Sequence, residues 1–122
     1  MSNAFDSLQE HQFINLTTYR KNGQPMVTPV WFAPDGDRIV GTTMRQSGKI
    51  KRIRNNPEVS VAPSTATGQV LGDAVQGVAR VLLPEEEAVA KTALRNKYGA
   101  QYDQVTANAD PTLRVYWEVK PI

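Results

Sequence analysis

The apolar positions of this chain change period several times. Between Gln12 and Tyr19, Phe13, Ile14, Leu16 and Tyr19 stand with Thr17 and Thr18 in a β-rich run, and Asn22-Gly23 follows as a strong short hairpin signal. Met26 to Ala33, holding Val27, Val30, Trp31 and Phe32, reads as a second strand. The turn Pro34-Asp35-Gly36-Asp37 leads into a third, Arg38 to Met44. Three successive strands joined by tight turns predict an antiparallel meander rather than a βαβ unit. Ile50 and Ile53, three apart among polar neighbours, then predict a helix from Ser47 to Asn55-Asn56, which Pro57 stops.

Glu58 to Ala62 returns to strand. Pro63 to Gly68 is a Ser/Thr-rich loop; Val70-Leu71 and Val75 to Leu83 supply further strand, with Val75, Gly77, Ala79 and Val81 alternating against Gln76 and Arg80. Pro84 followed by Glu85-Glu86-Glu87 opens a helix that runs through Tyr98 to Gly99. Ala107 to Pro111 reads as loop, and Leu113 to Val119 as a last strand with Val115, Trp117 and Val119 on one face. Phe5 and Leu8 predict a short helix before His11. The pattern gives a mainly β (α+β) fold: six or seven antiparallel strands in a Greek-key barrel with two to three helices, as one domain over residues 1–122.

Charge sharpens this picture at one place. Arg45, Lys49, Lys51, Arg52 and Arg54 fall within ten residues that hold no acid, while the other nine Lys and Arg face 12 acids across the rest of the chain. A local excess of this kind marks an anionic ligand, and a helix starting at Ser47 would aim its free N–H groups and its dipole at the same anion. Neither the Rossmann nor the Walker glycine pattern is present. With no cysteine and one histidine, His11, the sequence excludes disulfides, thiolate chemistry and a histidine-rich metal site; no metal ligand set and no catalytic side chain is assigned. Asp6 and Glu10 interrupt the stretch where a signal peptide would need an apolar core, and no run reaches membrane-spanning length, so a cytoplasmic protein without a membrane partner is expected.

Thr28-Pro29-Val30-Trp31-Phe32, then Ser47-Gly48-Lys49-Ile50-Lys51-Arg52-Ile53-Arg54-Asn55-Asn56-Pro57, then Val59-Ser60-Val61-Ala62-Pro63, and later Gln76-Gly77-Val78-Ala79-Arg80 resemble, in order and spacing, the pyridoxamine 5'-phosphate oxidase-like flavoproteins. Within these the chain is similar to the small group of coenzyme F-420 (deazaflavin)-dependent enzymes. The resemblance implies an FMN-binding type of split β-barrel, a homodimer with FMN or coenzyme F-420 in a groove at the subunit interface. It implies that Pro29, Val30, Trp31 and Phe32 lie along the cofactor ring, that Thr43, Ser47, Lys49 and Lys51 reach its phosphate, and that Arg54 is a second-rank contact. The implied activity is an oxidoreductase that passes hydride between cofactor and a small organic substrate. Relatives that bind deazaflavin often carry basic residues in the loop that here reads Ser64-Thr65-Ala66-Thr67-Gly68-Gln69, so FMN stays in contention.

Two rival functions compete with this one: a flavin-binding storage protein without turnover, and a nucleic-acid-binding β-barrel. Arg45 to Arg54 contains no aromatic on which bases could stack, so no nucleic-acid partner is expected. Several residues have plainer readings. Arg52 points away from the Ile50–Ile53 stripe and reads as surface. Trp31 and Phe32, adjacent on a strand, face opposite ways, one inward. Tyr98 and Tyr102 read as packing residues with wet hydroxyls, or as lining of a substrate pocket; Trp117 reads as core or dimer interface, and His11 as surface. Glu85 to Glu87 need only the helix dipole to explain them.

Overall fold

The structure, a computed structural model, describes Phe5, Leu8, residues 10–107 and residues 113–122. Its strands are β1 Phe13–Tyr19, β2 Pro25–Trp31, β3 Ala33–Asp35, β4 Arg38–Met44, β5 Glu58–Ser64, β6 Val75–Val81 and β7 Arg114–Pro121. The helices are α1 Gly48–Asn55, α2 Glu87–Tyr98, entered through a 3-10 turn at Pro84–Glu86, and α3 Ala100–Ala107. All seven strands belong to one antiparallel sheet in the order β2-β1-β5-β6-β7-β4-β3, which curls into the expected split barrel.

The meander is the expectation that fails. β1 and β2 form one hairpin and β3 and β4 another, but β2 lies at one edge of the sheet and β3 at the other. The chain crosses between edges at Phe32, the one residue between Trp31 and Ala33. Closure therefore comes from chain continuity and packing: β2 touches β4 across the seam without a hydrogen-bonded ladder. The Phe32 backbone, which has no strand partner, is satisfied by Tyr98 at the end of α2. Phe32 N–H donates to the Tyr98 hydroxyl at 3.0 Å, and that hydroxyl lies 2.8 Å from the Phe32 carbonyl and 2.7 Å from that of Gln12, with one proton to share between them.

The core has two layers. Inside the barrel, Ile14, Leu16, Phe32, Val61, Trp117 and Val119 are buried together with Ile53, the inward stripe of α1. Outside the sheet, Ala90, Leu94 and Tyr98 of α2 pack with Val40, Tyr116 and Tyr102. β7 is thus covered on both faces, which is why Tyr116 and Glu118 are buried as well as the Val115, Trp117 and Val119 face that alternation predicts. Gly41 sits opposite Trp117 in the β4–β7 register, and a methyl group there would overlap the indole ring.

Three smaller expectations are revised. Val70-Leu71 makes only an isolated bridge, Val70 to Ser64, and not a strand. The chain resumes helix after Gly99, whose φ of +58° suits glycine, so Tyr102 lies on a separate α3. Glu86 does more than answer the helix dipole: it pairs with Arg80 through two 2.8 Å contacts and accepts from the Leu83 N–H, and Arg80 and Arg38 both reach the buried Glu118. The N-terminal helix expected around Phe5 and Leu8, and the loop Ala107 to Pro111, lie largely outside the described residues, although Phe5 and Leu8 themselves are buried. Among the described residues no helix is long and apolar enough to cross a membrane.

Candidate functional site

α1 follows β4 after a short turn in which Ser47 N–H bonds to the Met44 carbonyl. Ser47 occupies the cap position with extended φ and ψ, but its side chain makes no capping bond, so the first-turn N–H groups carry no side-chain acceptor. Its hydroxyl instead lies 3.5 Å from that of Thr43. Lys49, in the first turn, is half-buried. Its pKa is lowered by that burial and, secondarily, by the charge of Arg52.

Arg52 is not plain surface. Its Nε donates to the buried Thr18 Oγ1 at 2.6 Å, and its guanidinium folds back so closely over Gly48 that a side chain there would meet it at 2.7 Å. Burial lowers its pKa, and the charge of Arg20, just beyond β1, lowers it further. Among the described residues no carboxylate pairs with Arg20, Lys49 or Arg52. Three cations thus gather around β1 and α1, Arg52 disfavouring the charge on Lys49 and Arg20 that on Arg52, with two hydroxyls and an uncapped helix start nearby. Charges held together without a counter-ion are stabilised by an anion. Arg20 and Thr18 carry no sequence signal, and Arg52 reads there as surface, because Thr18 and Arg52 are 34 residues apart and nothing local links them.

The structure divides the other expected contacts. Lys51 is exposed on α1. Arg54 faces a different way, lining with Arg45 a cavity of about 420 Å³ floored by Ile53, Val81, Leu82 and Val115. On β2, Pro29 and Val30 are partly buried; Val30 packs against the barrel core. Trp31, on the opposite face, stacks on Tyr98 with ring centroids 4.1 Å apart and planes 7° from parallel. The Phe32 side chain is fully buried, with the Lys97 ammonium 3.4 Å from its ring centroid, and offers no open face to a ligand in this chain. Pro29 and Trp31, on the face away from the barrel core, therefore remain as the β2 surface, and Val30 points inward.

A second cavity, of about 700 Å³, runs between α2 and β3 and is lined in part by Gln12, Asp35, Thr92, Ala93, Asn96 and Lys97. Burial lowers the Lys97 pKa to about 8, although the Phe32 ring and a 2.7 Å bond to the His11 carbonyl both favour the cation. Tyr98 and Tyr102 line neither cavity, and their hydroxyls are not wet: Tyr102 bonds to the Tyr116 hydroxyl at 2.6 Å. Thr43, Ser47 and Lys49 are partly buried and likewise line neither.

An antiparallel split barrel with a basic helix after its fourth strand defines the class. The chain matches the pyridoxamine 5'-phosphate oxidase family over residues 2–121 and belongs to it. Its fold is similar to that of the heme storage protein HutZ from Vibrio cholerae, with TM-score 0.72 and 15% identity over 93% of this chain and 83% of that one. It is also similar to an F420 reductase, with TM-score 0.66 and 22% identity over 100% and 96% of the two chains. An FAD-binding protein from Mesorhizobium loti aligns with TM-score 0.71 and 20% identity over 94% and 84%. No curated protein matches the chain.

Proposed function

We propose that this protein binds FMN or coenzyme F-420 and works as an oxidoreductase on a small organic substrate, as a homodimer whose second copy completes the cofactor groove. The reading rests above all on the uncompensated cations Lys49, Arg52 and Arg20 beside Thr43, Ser47 and the uncapped start of α1. That donor set fits a phosphate: ammonium and guanidinium charge, two hydroxyls and backbone N–H groups. Lys49 and Arg52 would bind it, with Thr43 and Ser47 donating hydroxyl bonds, Lys51 a more distant charge and Arg54 outside the set. Pro29 and Trp31, on the face of β2 away from the barrel core, supply an apolar surface for a flat ring, and Trp31 is held by its stacking on Tyr98.

The ring, when bound, supplies the hydride chemistry, and the protein positions it and tunes its electrostatics. Because Thr43, Ser47 and Lys49 line neither cavity of the single chain, a partner chain would be needed to enclose the ring and keep water from it. Membership of the pyridoxamine 5'-phosphate oxidase family and the F420 reductase and FAD-binding neighbours support this reading.

The test is an absorbance titration of the purified protein with FMN and with coenzyme F-420. Stoichiometric binding of one of them is expected, weakened at least tenfold in Lys49→Ala and nearly unchanged in Arg54→Ala. Failure of the unmodified protein to bind either would overturn the proposal. Turnover of the reduced complex with quinones, nitro compounds and enones separates an enzyme from a flavin store.

A further inference from the structure

The five cations of the basic segment do not form one site. Arg52 turns toward Thr18 and Arg20, with Lys49 within reach of its charge, whereas Arg54 and Arg45 line the 420 Å³ cavity between α1, β6 and β7. That volume lies within the range of small-molecule sites. Its floor is apolar: Ile53 of α1, Ala79 and Val81 of β6, Leu82 and Val115. Burying such a floor under a ligand is favourable in proportion to the apolar area covered.

Three arginines border this floor, and their situations differ. Arg80 is committed, held by both oxygens of Glu86 and by Glu118. Arg45 and Arg54 have no side-chain hydrogen bond or ion pair among the described residues. The remaining charged group on the wall is Glu87, which has only the exposed Lys91 near it, at 3.9 Å. Two free guanidinium groups leave the cavity with a net positive charge. An anion with an apolar body satisfies both the guanidinium groups and the floor, whereas phosphate has no apolar part to cover that floor and meets Glu87 on the wall. Guanidinium also suits a planar carboxylate because it can donate two parallel N–H bonds.

We propose that the cavity between α1, β6 and β7 is a binding site for small apolar carboxylic acids, anchored by Arg45 and Arg54 over the Ile53–Val81–Val115 floor and separate from the Lys49–Arg52 surface. The site shares no residue with the Lys49–Arg52 set proposed above for the cofactor phosphate, so it stands or falls independently of the oxidoreductase reading.

The test is a backbone amide NMR titration of the full chain with phenylacetate, its neutral amide phenylacetamide, and inorganic phosphate, at about millimolar concentrations. Phenylacetate is expected to shift the amides of Ile53, Arg54, Ala79 to Leu82 and Val115, and phenylacetamide to bind at least tenfold more weakly. Arg45→Met with Arg54→Met should abolish the shifts while Lys49→Ala leaves them intact. Should the double variant misfold, Val115→Trp, which fills the floor and keeps both charges, must still block binding. Shifts by phosphate as large as those by phenylacetate would mean nonspecific anion attraction and overturn the proposal. So would an absence of shifts in the unmodified protein.

Discussion

Arg52 of α1 reaches back to the buried Thr18 of β1, placing its Nε 2.6 Å from the threonine Oγ1. This bond ties the basic helix to the barrel wall and fixes a guanidinium across Gly48, at the start of the helix. Replacing Arg52 by Met should raise the dissociation constant for FMN or coenzyme F-420 on the order of tenfold or more, the usual scale for a charge-assisted hydrogen bond. Thr18→Val keeps shape and charge but frees the guanidinium, so it should weaken binding less. Absorbance titrations of both variants check this, and equal affinities in Arg52→Met and the parent would remove Arg52 from the phosphate set.

Tyr98→Phe should destabilise the fold by about 1–3 kcal/mol, because the Phe32 N–H at the strand crossing loses its acceptor while remaining buried. Urea unfolding followed by tryptophan fluorescence measures it. Burial pushes the Tyr98 pKa up to about 12, so the hydroxyl stays protonated and the loss should be the same at pH 6 and pH 9.

Lys97 predicts a stability change in the alkaline range. Its folded pKa of about 8 lies below the ordinary 10.5, so between those values the unfolded chain holds more protons than the folded one. Stability from this group therefore rises as pH increases from about 8 toward 10.5; below 8 both states are charged and the cost of burying the ammonium is present in full. Lys97→Met should flatten that rise. Denaturant midpoints across the range decide it, and a fall in the parent with no difference from the variant would contradict the assignment.

At the acid end, Arg80 and the Leu83 N–H hold the Glu86 carboxyl down to about 2, against an ordinary 4.5. Its contribution is fully present above 4.5 and is lost as pH falls through that interval toward 2. Arg80→Met should therefore lower stability at neutral pH and reduce the acid sensitivity. Thermal unfolding at several pH values between 2 and 6 would register both effects.

What the sequence makes legible is what neighbouring residues decide. Arg38 to Met44, the Asn22-Gly23 hairpin and the Ile50–Ile53 stripe are found where local pattern places them. The crossing at Phe32 is not legible, because its hydrogen bonds are completed by a tyrosine 66 positions later, and nothing between Trp31 and Ala33 marks a change of sheet edge. The same holds for the site. A run of five cations is visible in the sequence, but its partition is not: Arg52 goes to Thr18 and Arg54 to the cavity beside β6 because of what lies across from each face of α1. Glu86 likewise looks like a helix-dipole residue until Arg80, on the adjacent strand, is seen to hold it.

A barrel closed by continuity of the chain leaves two sheet edges without ladder partners, β2 on one side and β3 on the other. Such edges are templates for unwanted pairing between molecules. Here both contain proline: Pro25 and Pro29 on β2, Pro34 on β3. Each proline removes a donor from the strand that carries it. The edges can thus resist sheet-to-sheet aggregation without a covering strand, so Pro29 protects solubility through its place on the edge.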